Sequence, residues 1–203
     1  MLHYTAIDPP TLELLKQLLG LSVFERMRLV GGTSLALQLG HRKSIDIELF
    51  GVLKDDEFAV SNALKTFKKV NLLQKSKNIS IYSIDGIKVD IVNYGYPWLS
   101  DIRLEDGIRL AQMDDIAAIK LSAVTGRGTK KDFIDIYYLL KQYSLKQLLD
   151  LYSKKYSDGS EFLVLKSLSY FSDADEDPDP NMLHNVRWDQ IKVYFRKLLR
   201  EYS

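Results

Sequence analysis

One stretch constrains the fold of this chain more than any other. Ile79-Ser80-Ile81-Tyr82-Ser83-Ile84 and Ile87-Lys88-Val89-Asp90-Ile91-Val92 are two β-rich runs joined by Asp85-Gly86. Asp-Gly suits a two-residue type I′ turn, whose central residues both have positive φ, so the stretch predicts an antiparallel hairpin. A lone hairpin is marginal in water and needs more strands. One lies upstream: Ile45, Ile47 and Leu49 alternate with Asp46, Glu48 and Phe50. That period of two gives one apolar face and one face with two carboxylates.

Helical signals surround these strands. Asp8-Pro9-Pro10 reads as a cap and first turn, and Leu12, Leu14, Leu15, Leu18 and Leu19 form the apolar stripe of a helix over Thr11 to Gly20. Phe24 to Leu29 reads as a continuation into a second helix, before Leu29-Val30 runs into the breaker Gly31-Gly32. Thr33 to Leu39 is helical again and stops at Gly40. Asp55 to Val70 reads as a further helix. Beyond Ile108-Arg109-Leu110 the pattern is mainly helical, at about 114–125 and 131–143 and within 145–171 and 184–202. The acidic, proline-bearing segment 172–180 reads as a solvated connection. The expected fold class is α/β: a small mixed sheet with flanking helices over 1–100, followed by a C-terminal helical lobe over 101–203 that completes a cleft.

Composition narrows the function. Lys and Arg number 28 against 27 Asp and Glu, which argues against a dedicated basic nucleic-acid binder while leaving room for a local basic cleft. The chain has no cysteine, which removes disulfides, thiolate metal sites and cysteine nucleophiles together. No apolar stretch approaches the ~20 residues that span a bilayer, and Met1 to Asp8 lacks the pattern of a secretory signal. The expectation is a cytoplasmic protein with no membrane partner. His3, His41 and His184 are too far apart in sequence to suggest a zinc site, and no Gly-x-x-x-x-Gly-Lys-Ser/Thr loop occurs.

The residues that remain point to phosphate and metal chemistry. Asp46 and Glu48 are two apart on a strand and so share a sheet face; Asp90 joins them if the hairpin strand lies alongside. Such carboxylates suit magnesium, which binds through one or two carboxylates plus substrate phosphates. They also suit an ordinary solvated sheet face, and both readings stand at this point. Gly31-Gly32-Thr33 also fits a turn between a strand and a helix, where backbone N–H groups and a hydroxyl can hold a phosphate. It precedes the acidic pair by thirteen residues. Lys120 falls inside the apolar run Ile116-Ala117-Ala118-Ile119-Lys120-Leu121 and needs a partner there; facing the cleft, it would meet phosphates. Arg127 and Lys131 are placed to meet a triphosphate or an RNA backbone, although Lys130 and Lys131 also read as exposed residues at a helix start. Asp132 and Asp135 share a helix face. From there either can salt-bridge a nearby base such as Arg127 and hold two helices in register. His41 and Arg42 read equally as loop residues or, for Arg42, as a triphosphate ligand.

The run from Leu29 to Phe50, with Gly31-Gly32-Thr33 and Asp46-Ile47-Glu48, resembles the first motif of the AbiEii-type nucleotidyltransferase toxins, which have a polymerase-beta-like minimal nucleotidyltransferase fold. Lys88-Val89-Asp90 is similar to the second motif. Lys120 to Arg127 and Lys131-Asp132-Phe133-Ile134-Asp135 are similar to the third and fourth. Glu48 stands where many members carry aspartate. The resemblance spans about residues 29 to 140. It implies an enzyme that moves an NMP from an NTP to an acceptor hydroxyl, with Asp46, Glu48, Asp90 and Lys120 catalytic. Asp46, Glu48 and Asp90 would hold Mg²⁺, or Mn²⁺ in its place. Gly31, Gly32, Thr33, Arg42, Lys88, Arg127, Lys131, Asp132 and Asp135 would serve nucleotide binding. It further implies the toxin of a type IV toxin–antitoxin system, with tRNA as an acceptor and an antitoxin carrying a DNA-binding domain as partner. The alternatives are a small-molecule or protein nucleotidyltransferase, or a catalytically silent nucleotide- or partner-binding member.

Overall fold

A computed structural model describes residues 1–54 and 56–202. In chain order the elements are α1 (Pro9–Gly20), β1 (Met27–Leu29), α2 (Gly31–Leu39), β2 (Ile47–Gly51), α3 (Glu57–Leu64), β3 (Val70–Lys75), β4 (Ile79–Ile84) and β5 (Ile87–Asn93). After these come β6 (Arg103–Glu105), β7 (Ile108–Leu110), α4 (Met113–Gly126), α5 (Lys130–Leu139), α6 (Leu145–Lys155), α7 (Glu161–Leu168), α8 (Ser172–Glu176) and α9 (Trp188–Tyr202). The described strands form one mixed sheet in the order β3-β4-β5-β2-β1-β7-β6.

The hairpin forms as expected. β4 pairs antiparallel with β5, and Asp85 and Gly86 have φ of 50° and 88°, the signs a type I′ turn needs. β5 then runs parallel to β2 with Glu48 opposite Asp90, so the two acidic strands are neighbours in the sheet.

Two apolar layers hold the sheet. On one face Ile47 and Leu49 pack with Leu14, Leu15 and Leu18 of α1, and full burial of each such side chain stabilises by about 1.5–3 kcal/mol. On the other face Phe50 meets the core of α4 to α9, built around Leu121, Phe133, Leu148 and Phe195. Glu48, between Ile47 and Leu49 in sequence, shares this second face. The Tyr137–Tyr138 and Tyr152–Tyr156 ring contacts belong to helix packing.

Several expectations are corrected. Phe24 to Leu29 is not a helix: a 3-10 turn over Ser22–Phe24 leads into β1, which pairs with β2 on one side and β7 on the other. Burial of all three of its residues between the apolar layers outweighs local propensity. The strand expected from Ile45 begins at Ile47, because Ile45 is exposed and the preceding backbone is tied elsewhere, Ser44 N–H to the Ala6 carbonyl. The helix expected over Asp55 to Val70 is confined to Glu57–Leu64, capped by Asp56, whose carboxylate accepts from Ala59 N–H; Asp55 lies outside the described residues. Val70 onward joins the sheet edge as β3 instead. Strands β6 and β7 lie beyond residue 100 and extend the same sheet, and helix returns at Met113. Part of segment 172–180 is α8, and the rest is not merely solvated. Asp177 accepts from Lys130 N–H at 2.8 Å and through its carbonyl from Lys130 Nζ, while Asp179 lies 3.0 Å from that ammonium. Lys130 is therefore buried, not an exposed helix-start lysine. No described helix is long and apolar enough to cross a membrane.

Candidate functional site

The site begins where β1 ends. Gly31 opens α2 with φ of 65°, a conformation glycine adopts freely. A side chain there would overlap the Glu48 carboxylate, and one on Gly32 would strike the Arg42 guanidinium. At Gly31 it is the positive φ that favours glycine, whereas at Gly32 it is the close approach of a guanidinium pinned by Asp135. Thr33 is buried and its hydroxyl is committed: it bonds to the Asp46 carbonyl and lies 2.8 Å from Ser44 Oγ. It anchors the loop that carries Asp46 rather than offering a free hydroxyl.

Asp46 and Glu48 line one polar notch of about 60 Å³ together with Gly32, Thr33, Ser44 and Lys120. Arg42, Arg127, Thr129, Lys131 and Asp132 complete its walls. Neither the Asp46 nor the Glu48 carboxylate makes a hydrogen bond or ion pair among the described residues. Burial pushes the Glu48 carboxyl above its ordinary range; Lys120 opposes this and Asp90 adds to it. Asp90, paired in register with Glu48, is held by Lys88 Nζ at 2.6 and 2.7 Å and does not line the notch. Lys88 is likewise outside it.

The cations divide into two kinds. Asp135, fully buried on α5, is the hub of the first. It accepts from Arg42 Nε at 2.7 Å and Nη2 at 2.8 Å, sits 2.8 Å from Lys120 Nζ, and lies 2.8 Å from His41 Nε2. Burial alone would raise its pKa, but Arg42 and Lys120 hold it well below the carboxylate range. Lys120 also donates to Asp132 at 2.9 Å. Burial alone would pull the Lys120 pKa down, but Asp135, Asp132 and Glu48 together lift it above the lysine range. Asp132 is fixed in turn by a capping box with Thr129. The second kind is open: Arg127 is 65% exposed, with only a 3.7 Å contact to Asp132, and Lys131 is exposed with no ion-pair partner among the described residues.

Of the readings of Asp132 and Asp135, the structure shows the salt bridge: they join α5 to α4 through Lys120, with Arg127 at 3.7 Å from Asp132, and so hold Lys120 at the notch. His41 and Arg42 are not loop residues in the ordinary sense: both are buried, and Arg42 has Nε and Nη2 engaged by Asp135 and Nη1 by the Lys43 carbonyl. Their backbone is strapped from the far end of the chain. Asn181 accepts from Lys43 N–H, and Leu183 and His184 donate to the His41 carbonyl. Two lining residues escaped the sequence reading, Ser44 and Thr129. The Thr129-x-x-Asp132 spacing ahead of an apolar helix was a readable capping signal for the second; Ser44 carried none.

The carboxylates fit a hard divalent cation. Asp46 and Glu48 offer uncommitted oxygens in one notch beside two open cations. No three His, Asp or Glu side chains converge as a ligand set among the described residues, so a magnesium ion would need phosphate and water oxygens as well, which is its habit.

No family model matches the chain. It is 33% identical over 196 residues to an uncharacterized protein, aq_aa25, of Aquifex aeolicus, covering 94% of both chains. The chain belongs to the family of that Aquifex protein. Among solved structures it is similar to JHP933 from Helicobacter pylori, at a TM-score of 0.63 and 18% identity over 96% of this chain and 92% of the other. It is similar also to MenT4, a nucleotidyltransferase toxin from Mycobacterium tuberculosis, at a TM-score of 0.62 and 14% identity over 95% of this chain and 83% of the other. These likenesses are of fold: this chain shares the mixed sheet and flanking helices of those nucleotidyltransferase structures.

Proposed function

We propose that this protein is a metal-dependent nucleotidyltransferase of the AbiEii toxin type, moving an NMP from an NTP to an acceptor hydroxyl. One observation carries the reading. Two uncommitted carboxylates, Asp46 and Glu48, share a notch with a helix N-terminus, a firmly held lysine and two open cations. A solvated sheet face does not account for that company, whereas phosphoryl-type transfer uses every part of it.

The phosphate end of the NTP lies in the notch, near the start of α2, and Arg127 and Lys131 neutralise it. Lys120 has two of its three N–H groups on Asp132 and Asp135, and the third is left for a phosphate oxygen. Asp46 and Glu48 would hold Mg²⁺, or Mn²⁺; when bound, the ion supplies positive charge for the phosphate oxygens. Asp90 takes the proton from the acceptor hydroxyl as that oxygen attacks the α-phosphorus. The bond to the β-phosphate oxygen breaks, and pyrophosphate leaves with the electron pair. tRNA is the acceptor in this reading, and an antitoxin with a DNA-binding domain is the partner.

The test incubates the protein with Mg²⁺, each α-³²P-labelled NTP in turn and total tRNA, beside an Asp46→Ala control. Label on RNA that the control loses is the expected result. Label on protein or on a small molecule replaces the acceptor, and no transfer by a protein that binds NTP leaves a silent member of the fold.

A further inference from the structure

The β3 end of the sheet is bare. Strands β4 and β5 separate it from β2 and the notch, and no strand lies beyond it among the described residues. Residues 71–75 of β3 are all exposed. Pairing with β4 fixes which main-chain groups are free. The Asp85 N–H donates to the Lys69 carbonyl at one end of the ladder, and the Ser76 N–H donates to the Ile79 carbonyl at the other. Opposed residues in an antiparallel pair alternate between bonded and unbonded. Asn71 and Gln74 therefore turn their main-chain groups to Ser83 and Ile81, while Val70, Leu72 and Lys75 turn theirs outward. The register shifts between Leu72 and Gln74, which leaves Leu73 as the extra residue of a bulge.

Two side-chain features accompany this edge. Leu72 and Leu73, at its middle, are 50% and 60% exposed. Between Glu57 and Asp85 the chain has five lysines, Lys65, Lys68, Lys69, Lys75 and Lys77, and no acidic residue. Lys75 pairs with Glu57, and Lys65 donates to Asn62 Oδ1. Lys68, Lys69 and Lys77 are exposed and have no ion-pair partner among the described residues. The first two precede the strand and the third follows it, so both ends are cationic.

That pattern selects the occupant. Lysines on an edge strand ordinarily keep sheet edges from pairing with one another. A second copy of this chain would set cation against cation in either direction of pairing. An acidic strand meets attraction at the same positions. A nucleic-acid backbone would engage the lysines but would leave the outward N–H and C=O groups and the two leucines unused. We propose that the β3 edge docks an extended segment of a partner protein, apolar at its centre and acidic at both ends, which joins the sheet as a further strand. The surface lies away from the notch, so this inference is independent of the nucleotidyltransferase reading.

The experiment uses the full chain and a fluorescein-labelled peptide, Glu-Asp-Val-Thr-Val-Thr-Val-Asp-Glu, read by fluorescence anisotropy. A second peptide carries Lys at each acidic position, and a single-stranded RNA oligomer is the third probe. One variant is Leu72→Pro, which removes an outward N–H and spares the bonds to β4. The other combines Lys68→Glu with Lys77→Glu, and circular dichroism checks the folding of both. The acidic peptide should bind saturably, and the basic peptide about tenfold or more weakly. Leu72→Pro should weaken the acidic peptide by about tenfold, the loss of one main-chain bond and of the leucine contact. The lysine double variant should prefer the basic peptide. In wild type, bound peptide should slow hydrogen exchange at the Val70, Leu72 and Lys75 amides, a readout that stands even where Leu72→Pro does not fold. Absence of saturable binding by the acidic peptide overturns the proposal, as does binding that leaves those three amides exchanging freely. RNA binding that the double variant loses, with no peptide binding, overturns it in favour of a nucleic-acid contact.

Discussion

Two buried carboxylates organise the helical side of this molecule, and they do opposite things. Asp135 gathers Lys120, Arg42 and His41 beside an open notch. Asp115, also fully buried, gathers Lys155 Nζ at 2.7 Å and the backbone N–H groups of Leu99 and Ser100. Lys155 donates as well to the Pro97 carbonyl and lies 4.6 Å from the Trp98 ring centroid, with Arg28 stacked on the same ring at 3.9 Å. Every group around Asp115 ends on backbone or on an aromatic wall. The two lysines respond with opposite shifts: burial holds Lys155 below the lysine range despite Asp115, whereas several carboxylates lift Lys120 above it. A buried charge is thus no sign of function by itself. What separates the hubs is whether uncommitted charges of both signs stand next to them.

The largest expected effect tests that contrast through stability and activity together. Asp135→Asn and Asp115→Asn should each lower unfolding free energy by about 3–5 kcal/mol, because removing one partner leaves buried cations uncompensated. Urea denaturation measures this. The folded fraction of the Asp115 variant should still transfer label at the normal rate, and that of the Asp135 variant should not. Equal activity in the two would break the distinction.

Next comes Lys120→Met, expected to lose about 10²–10³-fold in transfer rate, the cost of one well-placed electrostatic group. Lys155→Met should keep its rate once corrected for folded protein.

Acidity gives a third and smaller test. The Asp135 pKa is depressed in the folded state, so its stabilisation is present above the unfolded aspartate value of about 3.9. It is lost as pH falls from there through the folded pKa. Wild-type protein should therefore destabilise steeply below about pH 4, and Asp135→Asn should show a shallower fall over the same window in pH-stepped urea melts. A slope identical in both would mean the hub carries no such linkage.

The smallest effect belongs to Arg127. Because its side chain is largely exposed, Arg127→Ala should change stability by less than about 0.5 kcal/mol. NTP binding should nevertheless weaken, more so at low salt, where exposed charges are least screened.

The same contrast explains what could be read in advance. Asp46, Glu48 and Lys120, which line the notch, are legible because local spacing advertises them, through period-two alternation and a charge inside an apolar run. Asp90, advertised by the hairpin, lies outside the notch and on Lys88. The β2–β5 pairing was foreseen only as a condition. The Asp135 hub was half visible, since the i, i+3 pair with Asp132 is local while His41 and Arg42 lie more than 90 residues away. The Asp115 hub has no local signal either, since Lys155 lies 40 residues away. β1 is too short, and too buried on both faces, to show a period. β6 and β7 were missed although Asp106-Gly107, with φ of 51° and 78°, repeats the turn signal of Asp85-Gly86. There the flanking runs are three residues each, and only the sheet beside them makes them strands.

The strap over His41 has a consequence in time rather than in space. Asn181, Leu183 and His184 reach back some 140 residues to brace the backbone of His41 and Lys43. A ribosome that has released the carboxylates, both helices and Lys120 has still not released that brace. All the described strands emerge before residue 111, so the sheet can pair while the backbone around Arg42 is still unbraced. Among the walls of the notch, the one that carries Arg42 is thus fixed last in the order of synthesis.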